Sequence, residues 1–126
     1  MAAIRDTQAM IAQMAPELQP GAYIFEMVAQ LPADAIASFR EAEGLSVIRP
    51  AGSHLPGAMA MITLTVHSAL DGVGLTAAAA QALADAGLPC NVVAAYHHDH
   101  IFVPYDQAQK AVAALQALAK GARGGA

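Results

Sequence analysis

Tryptophan is absent from this chain of 126 residues, and cysteine occurs once, at Cys90. A lone cysteine cannot close an internal disulfide, which excludes disulfide-stapled scaffolds and fits a reducing compartment. Charge is sparse at 13% of residues, and the six cations (Arg5, Arg40, Arg49, Lys110, Lys120 and Arg123) are scattered. Nucleic acid needs a basic track and usually aromatic platforms for bases. With 5% aromatic residues and a formal net charge of -4, the chain has neither. No uncharged apolar run is long enough to span a bilayer. Nor does a cationic flank lead into an apolar segment at the N-terminus, as a signal peptide requires. These absences give the expectation of a soluble, cytoplasmic protein with no membrane or nucleic-acid partner.

What is present is apolar material, 56% of the chain and much of it alanine. That is enough for a packed core, with thin helices lying close to a sheet. Residues 6–15 read as a helix that Asp6 or Thr7 can cap, with Met10, Ile11 and Met14 on one face. After the Gln19-Pro20-Gly21 break, residues 23–28 read as a strand, 34–40 as a short helix and 45–48 as a second short strand. Residues 49–57, rich in proline and glycine, form the clearest loop and the boundary between two halves.

The second half is more regular. From Met59 to His67, Ala60, Ile62, Leu64 and Val66 alternate with Met61, Thr63, Thr65 and His67, a strand with one apolar and one mixed face. An alanine-rich helix over 74–86 follows, with Leu75, Ala79, Leu83 and Ala86 inward, ended by Gly87 and Pro89. Residues 91–96 are apolar on both faces, which reads as a strand in the sheet's middle. His97, His98, Asp99 and His100 read as a tight turn, 101–103 as the returning strand, and Asp106 with Gln109 as a capping box for a last helix to about Ala119.

The expected domain plan is an N-terminal half over 1–57, a βαββα unit over 58–120, and a disordered tail over 121–126. The fold class is α+β, with a ferredoxin-like antiparallel sheet, helices on one face, and two unequal halves packed together. The second half lacks that fold's final strand. Either a strand of the first half, 23–28 or 45–48, or a second chain must complete it, and the first is favoured because the N-terminal half has little core of its own.

The chemistry-bearing residues give weaker signals. In a hairpin neighbouring side chains face opposite ways, so at most two of His97, His98, Asp99 and His100 converge without help from His54 or His67. No metal site is assigned. Cys90, between Pro89 and an apolar strand, reads as a small core residue rather than a nucleophile. Ser68 beside His67 has no motif that would activate its hydroxyl. No catalytic residue and no cofactor are assigned.

Residues 62–68 (ITLTVHS), 71–77 (DGVGLTA) and 90–104 (CNVVAAYHHDHIFVP) resemble the ACT-domain family, as do residues 39–48 (FREAEGLSVI) in the first half. More narrowly they resemble the small stand-alone bacterial ACT-domain proteins of unassigned function. The resemblance implies a non-catalytic regulatory protein that binds a small molecule, an amino acid. A homodimer is expected separately, because the sheet face without helices needs cover and its semi-polar row Met59, Met61, Thr63 and Thr65 is compatible with a partner subunit. The resemblance places the ligand where the loop after the unit's first strand, and the start of its helix, meet the second strand of a neighbouring domain. Carried onto this chain, those residues are Asp71, Gly72, Val73, Gly74, Leu75 and Thr76, facing Asn91, Val92 and Val93.

The chemistry suits an amino acid. Glycines let backbone N–H groups approach a ligand, a helix N-terminus favours a carboxylate, Asp71 can hold an ammonium, and Asn91 can donate and accept. The competing reading is structural: the glycines shape a tight strand-to-helix connection, Asp71 caps the helix, and the protein is an interaction module without a ligand. A third reading is a small acylphosphatase-like hydrolase. It is disfavoured because Thr76 stands where those enzymes carry a phosphate-binding arginine, and no lysine or arginine lies between Arg49 and Lys110.

Overall fold

A computed structural model describes residues 6–66 and 74–124. Among them the elements run α1 (Thr7–Gln13), β1 (Pro16–Leu18), β2 (Ala22–Val28), β3 (Ala37–Glu41), β4 (Gly44–Ala51), β5 (Met59–Leu64), α2 (Leu75–Asp85), β6 (Asn91–Ala94), β7 (Asp99–Pro104) and α3 (Ala108–Ala122). Asp6 caps α1, its carboxylate accepting from the Ala9 N–H at 2.9 Å. The shared face of α1 is the buried one: Met10, Ile11 and Met14 all enter the core.

All seven strands join one antiparallel sheet in the order β3-β4-β2-β5-β7-β6, with β1 also paired to β5. The helices share one core with one face of this sheet. Met10, Ile11 and Met14 of α1, Leu75, Ala79 and Leu83 of α2, and Ala111, Leu115 and Ala119 of α3 pack with Ala60, Ile62 and Leu64 of β5 and Ile101 and Val103 of β7. The alternation along β5 is thus borne out, because the even-numbered residues from Ala60 to Leu64 are buried under the helices. The result is an α+β fold of the ferredoxin-like kind, with a curled antiparallel sheet.

The strand missing from the second half comes from the first. β1 pairs with β5 through Pro16↔Leu64, Glu17↔Thr63 and Leu18↔Ile62, and Gln19 donates its N–H to the Met61 carbonyl at 2.9 Å. β2 takes up the same edge at Tyr23↔Met59 and then swings away to pair along its length with β4. Four residues (19–22) separate Leu18 from Tyr23 while only two (60–61) separate their partners, so the strand bulges at the Pro20-Gly21 break.

Several elements differ from expectation. Residues 37–41 form β3 instead of ending a helix over 34–40. Pairing of Ala37 to Glu41 against β4, closed by a two-residue turn at Ala42 and Glu43, overrides the local helical composition. β4 continues to Ala51, so the loop begins later than its proline suggested. β6 is an edge strand rather than a central one, and ends at Ala94. It is apolar on both faces because Val92 packs beneath the helices and Val93 lines a cavity on the opposite face. The turn before β7 spans residues 95–98, closed by the Ala95 N–H on the His98 carbonyl, and Asp99 and His100 belong to the strand. The capping box at Asp106 does not form: a 3-10 turn (Tyr105–Gln107) leads into α3, whose N-cap is Gln107 without a side-chain bond. α3 runs on through Gly121 and Ala122, into the stretch expected as a tail.

The helix-free face is concave. Phe25 of β2 meets Phe102 of β7 edge to face at 5.1 Å between ring centroids, and Tyr23 meets it at 6.2 Å. Two strand spacings amount to about 10 Å. Contact across that span requires the sheet to curl so that the side chains lean towards each other.

Candidate functional site

Asp71, Gly72 and Val73 lie outside the described residues, and so does His67. The described part of the candidate site begins at Gly74, the N-cap of α2, which adopts φ +103°. That backbone favours glycine, and space imposes a second requirement: a Cβ here would stand 2.7 Å from Cγ2 of Thr7 in α1. Gly74 is therefore fitted against α1, so its lack of a side chain already has a structural explanation.

The first helical bond runs from the Ala78 N–H to the Gly74 carbonyl at 2.8 Å. The N–H groups of Leu75, Thr76 and Ala77 precede it and form the donor end of the helix, and the N-cap Gly74 has no side chain to cap them. Leu75 is buried in the core, so at this end it can offer only its backbone. Thr76 is exposed, and its hydroxyl donates to Asp99 Oδ2 at 3.4 Å.

Asp99 is the residue the sequence placed wrongly and the structure makes prominent. It is buried at 6% exposure, at the start of β7 beside the first turn of α2. Burial pushes its carboxyl pKa above the ordinary value, opposed by the Thr76 hydroxyl and then by the fields of His100 and His98. The pairing Leu64↔Asp99 sets it opposite the last residue of β5, just where the chain leaves the sheet for α2. The signal available in the sequence was the alternation of Asp99 with Ile101 and Val103, which continues the buried row by one position.

The three strand residues do not gather at this helix end within one chain. Ala94 pairs with Asp99, whereas Asn91 pairs with Phe102. Asn91 therefore stands three positions away along β6, about 10 Å from the end nearest Thr76. It is exposed; Val92 packs under the helices, and Val93 faces the concave side. The structure thus brings Gly74, Leu75 and Thr76 together with Asp99, and leaves Asn91, Val92 and Val93 apart from them.

The histidines are likewise divided. His100 pairs across strands with Thr63, and its Nδ1 lies 3.0 Å from the Thr63 hydroxyl, which also accepts from the Gln19 amide at 3.1 Å. His97 stacks edge to face on Tyr96 at 4.9 Å, on the exposed turn. Among the described residues, no three His, Cys, Asp or Glu side chains converge as a metal site. Cys90 packs against the core, where burial pushes its thiol pKa up and favours the protonated, weakly nucleophilic form. No helix among the described residues is long and apolar enough to cross a membrane.

No curated protein matches this chain. Among solved structures it is similar to VC0802 from Vibrio cholerae, a protein of unknown function described as a possible transport protein. The two share 43% identity and a TM-score of 0.74, covering 86% of this chain and 92% of the other. It also shares a fold with Atu0741 from Agrobacterium tumefaciens, at 17% identity and a TM-score of 0.68 over 85% and 90% of the two chains. Residues 2–53 match one ACT-domain family and residues 46–117, more than half of the chain, match another, so this chain belongs to the ACT-domain family.

Proposed function

We propose that this chain is a non-catalytic regulatory module of the cytoplasm that binds an amino acid and works as a homodimer. ACT domains are generally small-molecule regulatory binders and typically have no catalytic activity of their own. The observation that carries the reading is the intact βαββα unit, β5-α2-β6-β7-α3, lying almost wholly within the ACT match over 46–117. Its helix α2 begins at Gly74, which has no side chain to cap it, and a helix N-terminus favours a carboxylate.

The distance between that helix end and Asn91 supports a site completed by a second copy. In this arrangement Asp71, Gly72, Val73, Gly74, Leu75 and Thr76 of one chain face Asn91, Val92 and Val93 of its partner's β6. Edge position leaves β6 free for such an approach. An amino acid bound there favours one arrangement of the two copies, and its regulatory power is limited to its difference in affinity between arrangements. A transport role, as described for the Vibrio cholerae protein, has no specific residue here to support it.

The test is a thermal-shift screen of the purified chain against the common amino acids, with sedimentation measured alongside. At a concentration of about 100 times Kd a ligand adds about 2.7 kcal/mol of stability, which for a domain of this size is a rise of several degrees. The expected result is a selective rise that both Asp71→Ala and Asn91→Ala remove, in protein that sediments as a dimer. A flat screen on folded, ligand-free protein would overturn the amino-acid reading. A monomer that still binds would overturn the shared site.

A further inference from the structure

The concave face of the sheet holds a cavity of about 230 Å³ that is unrelated to the helix end described above. Its wall is assembled from both margins of the sheet: Ala37 and Ile48 from β3 and β4, Met61 from β5, Val93 from β6, and His100 and Phe102 from β7. β3 and β6 are the two edge strands, so only the curl of the sheet brings these residues to one space. Phe102 is 1% exposed and held by Tyr23 and Phe25, which makes it a fixed wall. An engineered apolar cavity of about 150 Å³ suffices to bind benzene, so this one has room for a substituted ring.

One residue makes the wall selective. The Thr63 hydroxyl accepts from Gln19, which leaves its own hydrogen for His100 Nδ1 at 3.0 Å. With the Thr63 hydroxyl hydrogen directed at Nδ1, all three groups are satisfied and the imidazole carries its proton on Nε2. Nε2–H is then the donor that the ring has left to offer, and His100 is among the residues lining the cavity. His100 is therefore a single positioned donor in a wall that contains no Lys, Arg, Asp or Glu.

We propose that this cavity is a second binding site, for a small uncharged molecule with an apolar body and one hydrogen-bond acceptor that receives the His100 Nε2–H. A charged group would gain no opposite charge from this wall while His100 is neutral, the form that its burial favours. An amino-acid zwitterion, which carries two charges, is excluded from the cavity on the same ground. The ligand class thus differs from that of the amino-acid site proposed above, although Val93 borders both. Ring and aliphatic ketones, amides and ethers of about ten non-hydrogen atoms or fewer meet the description, within the limit that small ligands set on affinity.

Three probes of one size separate the possibilities: acetophenone, with the acceptor; isopropylbenzene, without it; and benzoate, with a charge. Each is titrated into the full chain labelled for amide NMR. Acetophenone is expected to shift the amides of Met61, Val93, His100 and Phe102 saturably, and to bind about three- to tenfold more tightly than isopropylbenzene, the value of one hydrogen bond. Benzoate is expected to bind at least about tenfold more weakly than acetophenone, because its charge has no partner. His100→Phe should make acetophenone and isopropylbenzene bind alike. Ala37→Phe, on the edge strand β3 and away from both β6 and the Gln19–Thr63–His100 chain, should fill the space and abolish binding of both. Shifts that fail to saturate, benzoate binding as tightly as acetophenone, or affinity unchanged in a folded Ala37→Phe protein would each overturn the proposal.

Discussion

Replacing Gly74 by alanine tests the tightest local constraint in the fold. Two costs arise at once. The backbone at φ +103° and ψ -18° is one that residues with a Cβ rarely adopt, and holding one there costs about 1–3 kcal/mol. The new Cβ also arrives 2.7 Å from Cγ2 of Thr7, well inside van der Waals contact. Thr7 is branched at its own Cβ and sits at the start of α1, so it cannot withdraw along a flexible chain. Overpacking of this kind typically adds about 1–3 kcal/mol. We therefore expect Gly74→Ala to lower stability by about 2–6 kcal/mol, the sum of the two ranges.

The two costs separate in a double-mutant cycle. Thr7→Ser removes the offending methyl and keeps the hydroxyl. In the Thr7→Ser background Gly74→Ala should cost about 1–3 kcal/mol, the backbone share alone. Urea unfolding at equilibrium reads all four proteins, and an unchanged slope would certify that the same surface is exposed in each. A cost below about 0.5 kcal/mol for Gly74→Ala, the range of an ordinary surface change, would refute the argument. So would a cost that Thr7→Ser leaves untouched, which would remove the contact with α1 from the explanation.

Two further predictions concern the core and the buried carboxylate. Leu115 is fully buried where α3 meets the sheet, so Leu115→Ala should lower stability by about 2–5 kcal/mol, read by urea unfolding. The folded-state pKa of Asp99 lies above its unfolded value, so the native state binds more protons between the two and stability falls as pH rises through that window. Asp99→Asn keeps an acceptor for Thr76 and removes the charge, so it should gain on the parent as pH rises above the ordinary carboxylate pKa of about 3.9. Urea midpoints across that range check it, and parallel pH profiles for the two proteins would count against it.

Much of the second half was legible because its patterns are local. The alternation along β5 and the helical spacing of α2 and α3 both report a face turned to one core, and the structure buries those faces. Three features were not legible, each because its cause lies far away in the chain. β1 has only three residues, too few to show a period, and exists because β5 offers an unpaired edge. The segment around Asp34 looks helical on its own and continues into β3 through its partner β4. Asp99 reads as a polar turn residue until the register with Leu64 carries it under α2.

The same reasoning explains why the candidate amino-acid site is only half visible in one chain. Gly74 and Asn91 are linked through α2, whose eleven residues extend about 16 Å. A helix that leaves one end of the sheet and returns at the other must put its N-terminus and the start of the following strand at opposite ends. No adjustment of side chains can close the gap of about 10 Å along β6, because the backbone of the connection sets it. A ligand that needs both the α2 N-terminus and the start of β6 therefore needs two units placed side by side and running in opposite senses. An antiparallel pairing of β6 with the partner's β6 would give that relation, with each Asn91 carried towards the other chain's Thr76 end. For the amino-acid site proposed above, the need for a second unit would thus follow from the βαβ connection itself, and ligand binding and assembly would be one equilibrium.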